Sequence, residues 1–96
     1  MLDINEIQKV VAPIANFYGV KKLYLFGSYA KGTANEESDI DLLVEKGTSI
    51  SLLKLSGMRQ IFEETLHKSV DLVTTAGIEE DFRKEIVGTE ILLYEE

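Results

Sequence analysis

The chain is organised around Leu23-Tyr24-Leu25-Phe26-Gly27-Ser28-Tyr29-Ala30-Lys31-Gly32, followed by Ser38-Asp39-Ile40-Asp41-Leu42-Leu43-Val44. The first stretch opens with a short apolar, aromatic-rich run, which is typical of a buried strand. Gly27 ends that run, and glycine lets the backbone turn sharply and approach a ligand closely because it has no Cβ. A helical turn over 28–31 would direct unpaired N–H groups, together with the Ser28 hydroxyl, at an anion above the strand end. The first stretch therefore predicts a phosphate-binding turn.

The second stretch carries two carboxylates in alternate positions. If Asp39 and Asp41 both lie on a strand, their side chains project from the same face, about 7 Å apart at the backbone. Two carboxylates on one face repel each other and are costly to bury unpaired. A divalent cation removes that repulsion, and Mg²⁺ favours one or two carboxylates together with substrate phosphates. The pattern therefore predicts a magnesium and nucleotide site.

Two further residues have both a structural and a functional interpretation. Asp71 lies in Ser69-Val70-Asp71-Leu72-Val73, and an acidic residue in so apolar a strand is usually paired, ligating or on an exposed edge. Lys31 is either a solvated lysine or a residue that neutralises a phosphate. The residues alone leave both alternatives open.

The order of these motifs resembles the signature of the DNA polymerase β-like nucleotidyltransferases, G-S-x-A-[RK]-G followed by S-D-x-D-L. In particular it resembles the minimal nucleotidyltransferase (MNT) group, and the resemblance extends to Leu92-Leu93-Tyr94 near the chain end. It implies that Asp39, Asp41 and Asp71 are catalytic and hold two Mg²⁺ ions. It also implies that Gly27, Ser28 and Lys31 bind the nucleotide, although the family more often has Arg where Lys31 stands.

The resemblance also implies an activity and a partner. Proteins of this kind transfer AMP from ATP to a hydroxyl, and the implied acceptor is a tyrosine of a helical HEPN ribonuclease toxin, which makes the chain an antitoxin of a two-gene module. Two alternatives stay open. The chain could be a non-catalytic module that masks the toxin, or a nucleotidyltransferase acting on a small molecule or an RNA end.

Composition restricts the remaining possibilities. The 96 residues predict one domain, 1–96, and no apolar run is long enough to span a membrane. The chain has no cysteine and no basic-then-apolar leader, so a cytoplasmic location is expected. The net charge is −7, and no basic cluster is present. Since phosphate contacts supply most nucleic-acid affinity, a nucleic-acid partner is disfavoured.

Hydrophobic periodicity gives the predicted elements. A helix is expected from Asp3 to Tyr18, with a kink or break at Pro13 because proline removes a backbone donor. The other expected elements are strands at 23–26, 39–44, 70–74 and 91–94 and helices at 51–68 and 77–87. This order predicts an α+β, two-layer fold with helices packed on a mixed β-sheet, and the polymerase β-like topology is what the resemblance adds.

Overall fold

The computed structural model describes residues 2–46, 50–74 and 88–96. The described elements are, in chain order, α1 (Ile4–Tyr18), β1 (Lys22–Phe26), α2 (Gly27–Lys31), β2 (Ile40–Glu45), α3 (Leu52–Leu66), β3 (Val70–Thr74) and β4 (Ile91–Glu95). The four strands form one sheet in the order β3-β2-β1-β4. β1 is antiparallel to both β2 and β4, whereas β2 and β3 are parallel. The predicted α+β fold with a mixed sheet is confirmed.

The helix α1 begins and ends with clear capping contacts. The Oδ1 atom of Asp3 accepts a hydrogen bond from the N–H of Glu6 at 2.8 Å, and Gly19 ends the helix in the left-handed conformation at φ 77°. Of the predicted kink or break at Pro13, the break is wrong, because the helix continues to Tyr18. Pro13 is exposed, so water can reach the carbonyl group that loses its helical partner.

The helix α3 packs beside α1 through the apolar face that the sequence predicts. Leu55, Met58, Phe62 and Leu66 are all buried along it. The Oγ atom of Ser51 accepts a hydrogen bond from the N–H of Lys54 at 3.2 Å, so Ser51 caps the helix, which begins one residue after the predicted position 51. It ends at Leu66, slightly before the predicted position 68.

Side chains alternate between the two faces of the sheet. One face joins α1 and α3 in a cluster whose strand residues include Leu23, Leu25, Ile40, Leu42, Val44 and Val70. The other face carries a small separate cluster of Phe26 and Leu43, with Tyr24 and Val73 packed against it. Asp41 and Asp71 lie on this second face, because successive strand residues point to opposite sides.

The remaining predicted elements have different outcomes. β3 has the predicted bounds, and β4, which lies at an edge of the sheet, is one residue longer than predicted. The predicted helix at 77–87 lies outside the described residues. Within residues 2–46, 50–74 and 88–96, no helix has the length and apolar character needed to cross a membrane.

Candidate active site

Three adjacent strands bring the motif residues into one row. Phe26, the last residue of β1, pairs with Asp41 on β2, and Asp41 pairs in turn with Asp71 on β3. Asp41 is half-buried in the inner strand, whereas Asp71 is exposed on the edge strand. The end of β1 and two carboxylates therefore meet at one end of the sheet.

Gly27 stands directly beside the Asp41 carboxylate. Its φ of +74° lies in the left-handed region, which residues with a Cβ rarely adopt. A Cβ at this position would collide with Oδ2 of Asp41. Gly27 is therefore required both by the turn and by the close approach of Asp41 to the backbone.

The predicted helical turn after the strand is present as α2. It contains Gly27 to Lys31 and ends at Gly32, with the N–H of Thr33 donating to the carbonyl oxygen of Ser28 at 2.9 Å. Ser28 is half-buried and directly follows Gly27, the glycine that lies against the Asp41 carboxylate. Lys31 is exposed at the other end of the turn.

Asp39 does not lie on the strand, so the prediction that Asp39 and Asp41 share β2 is wrong for Asp39. β2 begins at Ile40, whose N–H donates to the carbonyl oxygen of Ser69 at 3.0 Å. Before that hydrogen bond the chain leaves the sheet, and Asp39 is exposed. Strand alternation therefore does not fix the direction of its carboxylate.

Asp41 is the carboxylate whose charged form is disfavoured by its surroundings. Its pKa is raised from 3.8 to about 6, first by burial, then by the Asp71 charge and a hydrogen bond with Asp71, and finally by the Asp39 charge. Asp41 therefore takes up a proton more readily than an ordinary aspartate. That proton can be shared with Asp71.

The carboxylates provide the kind of ligands that a hard divalent cation needs. Within the described parts of the chain, no group of three Asp, Glu, His or Cys side chains has an arrangement ready to hold a metal ion. Asp41 and Asp71 are nevertheless within hydrogen-bonding reach, and Asp39 is close enough to raise the pKa of Asp41. Oxygen donors of this kind suit Mg²⁺, which also retains waters and substrate phosphates as ligands. The chemistry of the Asp41 and Asp71 carboxylates therefore fits a divalent cation.

The connection between α2 and β2 has hydrogen bonds of its own. The Oγ atom of Ser38 accepts a hydrogen bond from the N–H of Asn35 at 2.9 Å. The Lys68 ammonium donates to the carbonyl oxygens of Glu36, at 2.6 Å, and Ser38, at 3.1 Å. Sequence reasoning missed Lys68, and its only signal was a basic residue shortly before the Asp71 strand.

Comparison with known proteins agrees with this geometry. The family model described as "Polymerase beta, Nucleotidyltransferase" matches residues 6–96. A Methanocaldococcus jannaschii protein provisionally named protein adenylyltransferase MJ0435 is 47% identical over 73 residues, which cover 76% of this chain and 78% of the relative. Protein adenylyltransferase MntA of Thermococcus cleftensis is 32% identical over 91 residues, covering 91% of this chain and 92% of MntA.

Solved structures share the fold. A toxin–antitoxin complex with AMP-PNP superposes with a TM-score of 0.80 at 23% identity, covering 93% of this chain and 73% of the matched chain. An MNT antitoxin in complex with a tri-AMPylated Shewanella oneidensis HEPN toxin gives a TM-score of 0.72 at 20% identity, covering 94% of this chain and 71% of the matched one. At these identities the likeness establishes the fold.

The chain belongs to the polymerase β nucleotidyltransferase family. The two relatives described above, at 47% and 32% identity, bear protein adenylyltransferase names. The predicted family and the predicted enzyme class, a nucleotidyltransferase, are confirmed.

Proposed function

We propose that this chain is a magnesium-dependent protein adenylyltransferase that transfers AMP from ATP to a tyrosine hydroxyl of a partner HEPN toxin. The observation that carries the proposal is the convergence of Gly27, Asp41 and Asp71 at one end of the sheet. A close-approach glycine beside a repelling carboxylate pair suits a nucleotide that brings its own cations.

The carboxylates have assigned tasks in this proposal. Asp41 and Asp71 would hold the metal together with Asp39, and two Mg²⁺ ions when bound would neutralise the phosphates and stabilise the attacking and leaving oxygens. The raised pKa of Asp41 supports this assignment, because the repulsion that raises it is what a cation relieves. Asp41 would release its proton when the site is loaded, since metal ligands must be deprotonated.

The turn after β1 would bind the triphosphate. Gly27 supplies the left-handed backbone conformation with which the turn begins, and Ser28 adds a hydroxyl within the same turn. Lys31 is exposed and would add a positive charge for the outer phosphates. Together these groups would hold the β and γ phosphates, leaving the α-phosphate near the carboxylates.

The reaction is a displacement at the α-phosphorus. The acceptor oxygen forms a bond to that phosphorus, the bond from the α-phosphorus to the bridging oxygen of the β-phosphate breaks, and pyrophosphate leaves. Asp71 would receive the proton of the acceptor hydroxyl, because its exposed position on the edge strand leaves it open to an incoming protein. Atoms and charge are then balanced without a further reactant.

Several observations support a protein acceptor. Relatives at 47% and 32% identity bear protein adenylyltransferase names, and a structure with this fold contains a toxin that carries AMP groups. The net charge of −7 is unfavourable for binding the phosphate backbone of a polynucleotide. A module that only masked a toxin would not need the costly pairing of Asp41 with Asp71, so the catalytic alternative is preferred.

The proposal is tested with ATP labelled on its α-phosphate, Mg²⁺ and the protein product of the adjacent gene, which the proposal expects to be the toxin. The wild type should label the toxin, whereas Asp39→Asn and Asp41→Asn should not, and EDTA should abolish labelling. Glu64→Gln is the matched control, because Glu64 is exposed on α3, which packs on the sheet face opposite Asp41, and this variant should label the toxin at the wild-type rate.

Each other outcome has a defined meaning. Labelled toxin with Asp41→Asn would exclude the assigned role of that carboxylate. Tight toxin binding without labelling by the wild type would favour the masking module. Label on RNA or on a small molecule, with none on the toxin, would support the remaining alternative.

A further inference from the structure

Lys68 lies where three parts of the candidate site meet. It follows α3 and precedes β3, the strand that carries Asp71. Its ammonium donates to the carbonyl oxygens of Glu36 and Ser38 in the connection before β2. The same nitrogen lies 5.8 Å from the ring centre of Tyr29 on α2. One side chain therefore contacts both the phosphate-binding turn and the segment that leads to Asp39.

The hydrogen bond to Ser38 constrains the residue that follows it. The carbonyl oxygen of Ser38 and the Cα atom of Asp39 belong to one planar peptide unit, so holding the oxygen also restricts that Cα. On the other side of Asp39, the N–H of Ile40 donates to the carbonyl oxygen of Ser69 at 3.0 Å. The main chain at Asp39 is thus held on both sides by two consecutive residues, Lys68 and Ser69.

The same two residues lead directly into β3, so they relate Asp39 to Asp71. Asp39 precedes β2 and is exposed, and the sheet ladder alone does not hold it. We propose that Lys68 is a positioning residue, whose ammonium holds the main chain at Asp39 so that this carboxylate joins Asp41 and Asp71 around the cation. The presence of a cation at this site rests on the proposed function, whereas the positioning role rests on the hydrogen bonds of Lys68.

A lysine suits this task for specific physical reasons. Its ammonium offers three donors at the end of a flexible stem, so it can serve two carbonyl groups at once. Hydrogen bonds from a charged donor are stronger than neutral ones, and Lys68 is half-buried, which limits competition from water. The buried ring of Tyr29 adds a cation–π attraction that favours the same ammonium position.

The test compares Lys68→Met, which keeps most of the side-chain length but has no donor, with Lys9→Met as the matched control. Lys9 is exposed on α1. The first measurement is amide hydrogen exchange in cation-free buffer, where Lys68→Met should accelerate exchange at Ile40, whose N–H donates to the carbonyl oxygen of Ser69. The second is calorimetric titration with Mn²⁺ alone, where its Kd should rise about 10-fold to 100-fold, the usual effect of losing a group that orients a metal ligand.

Lys68→Arg keeps a cationic donor and should recover part of the Mn²⁺ affinity, while Lys9→Met should match the wild type in both measurements. Wild-type exchange at Ile40 and wild-type Mn²⁺ affinity in Lys68→Met would overturn the proposal, even with a lowered Tm, because the residue would then only support the fold. If Lys68→Met does not fold, Lys68→Gln is measured in its place, with the same expected directions.

Neither measurement depends on AMP transfer. A wild type that binds Mn²⁺ but labels no toxin would overturn the proposed acceptor and leave the role of Lys68 to be decided by the two measurements. A wild type that binds no Mn²⁺ would overturn the metal site itself and, with it, the role of Lys68 in assembling that site.

Discussion

Replacing Asp41 with asparagine should stabilise the metal-free protein at alkaline pH although it removes a residue assigned to the site. The pKa of Asp41 is raised to about 6 by burial and by its acidic neighbours, so the charged form is unfavourable in the folded chain. Asparagine has nearly the same shape, carries no charge, and can donate a hydrogen bond to Asp71. It should therefore retain the contact without the repulsion.

The sign and size of the effect follow from linkage between protonation and folding. A carboxyl whose pKa is higher in the folded than in the unfolded chain favours folding when protonated, and this contribution is lost as the pH rises from about 4 through about 6. A rise from 3.8 to about 6 corresponds to ~3 kcal/mol if fully realised. Asp41 is only half-buried, so solvent screening reduces the expected value to about 1 kcal/mol.

The assay is thermal unfolding followed by circular dichroism without divalent cations. At pH 8 the Tm of Asp41→Asn should exceed that of the wild type by about 4–8 °C, and the difference should vanish near pH 3.5. Asp3→Asn, a change of the same type at a helix cap, should not raise the Tm at pH 8, because asparagine caps a helix about as well as aspartate does. A variant at position 41 that is equal to or less stable than the wild type at pH 8 would refute the reasoning.

Two further predictions concern the same end of the sheet. Gly27→Ala should destabilise the fold more than Gly19→Ala in urea unfolding. Both positions have left-handed φ, which strains a residue with a Cβ by about 1 kcal/mol or more, but only at position 27 does the added Cβ meet Asp41. Equal losses of unfolding free energy in the two variants would contradict the close approach of Asp41 to Gly27. The affinity for Mn²⁺ should rise between pH 5 and pH 7 and then level off, because Asp41 must lose its proton to bind the cation. An Mn²⁺ affinity that calorimetry finds independent of pH would contradict a proton shared between Asp41 and Asp71.

The local parts of this fold could be predicted from the sequence. The apolar positions of α1 and α3 recur at helical spacing, so their buried faces follow from periodicity alone. Gly27 and Ser28 mark the end of a strand by composition, and α2 begins at that point. These features depend on residues that are close in sequence, so they can be predicted without a structure.

Features that depend on distant residues could not be predicted. The start of β2 at Ile40 is fixed by its hydrogen bond to Ser69, so the position of Asp39 outside the strand requires knowledge of the β2–β3 register. Pro13 is tolerated because its side of α1 faces solvent. Lys68 acquires its contacts only when the chain brings the segment after α3 back to the connection before β2.

One face of the sheet packs against the helices and the other carries the candidate site, and the register of β2 determines which residues lie on each face. Along β2, Ile40 and Leu42 enter the cluster with α1 and α3, while Asp41 points to the other face beside the end of β1. A slip of one residue would put Asp41 into that cluster and Leu42 beside Gly27. Because burying an unpaired carboxylate is far more costly than exposing a leucine, the apolar cluster excludes the slipped register. The packing that stabilises the sheet therefore also holds Asp41 opposite Asp71, where their repulsion can be relieved by a cation.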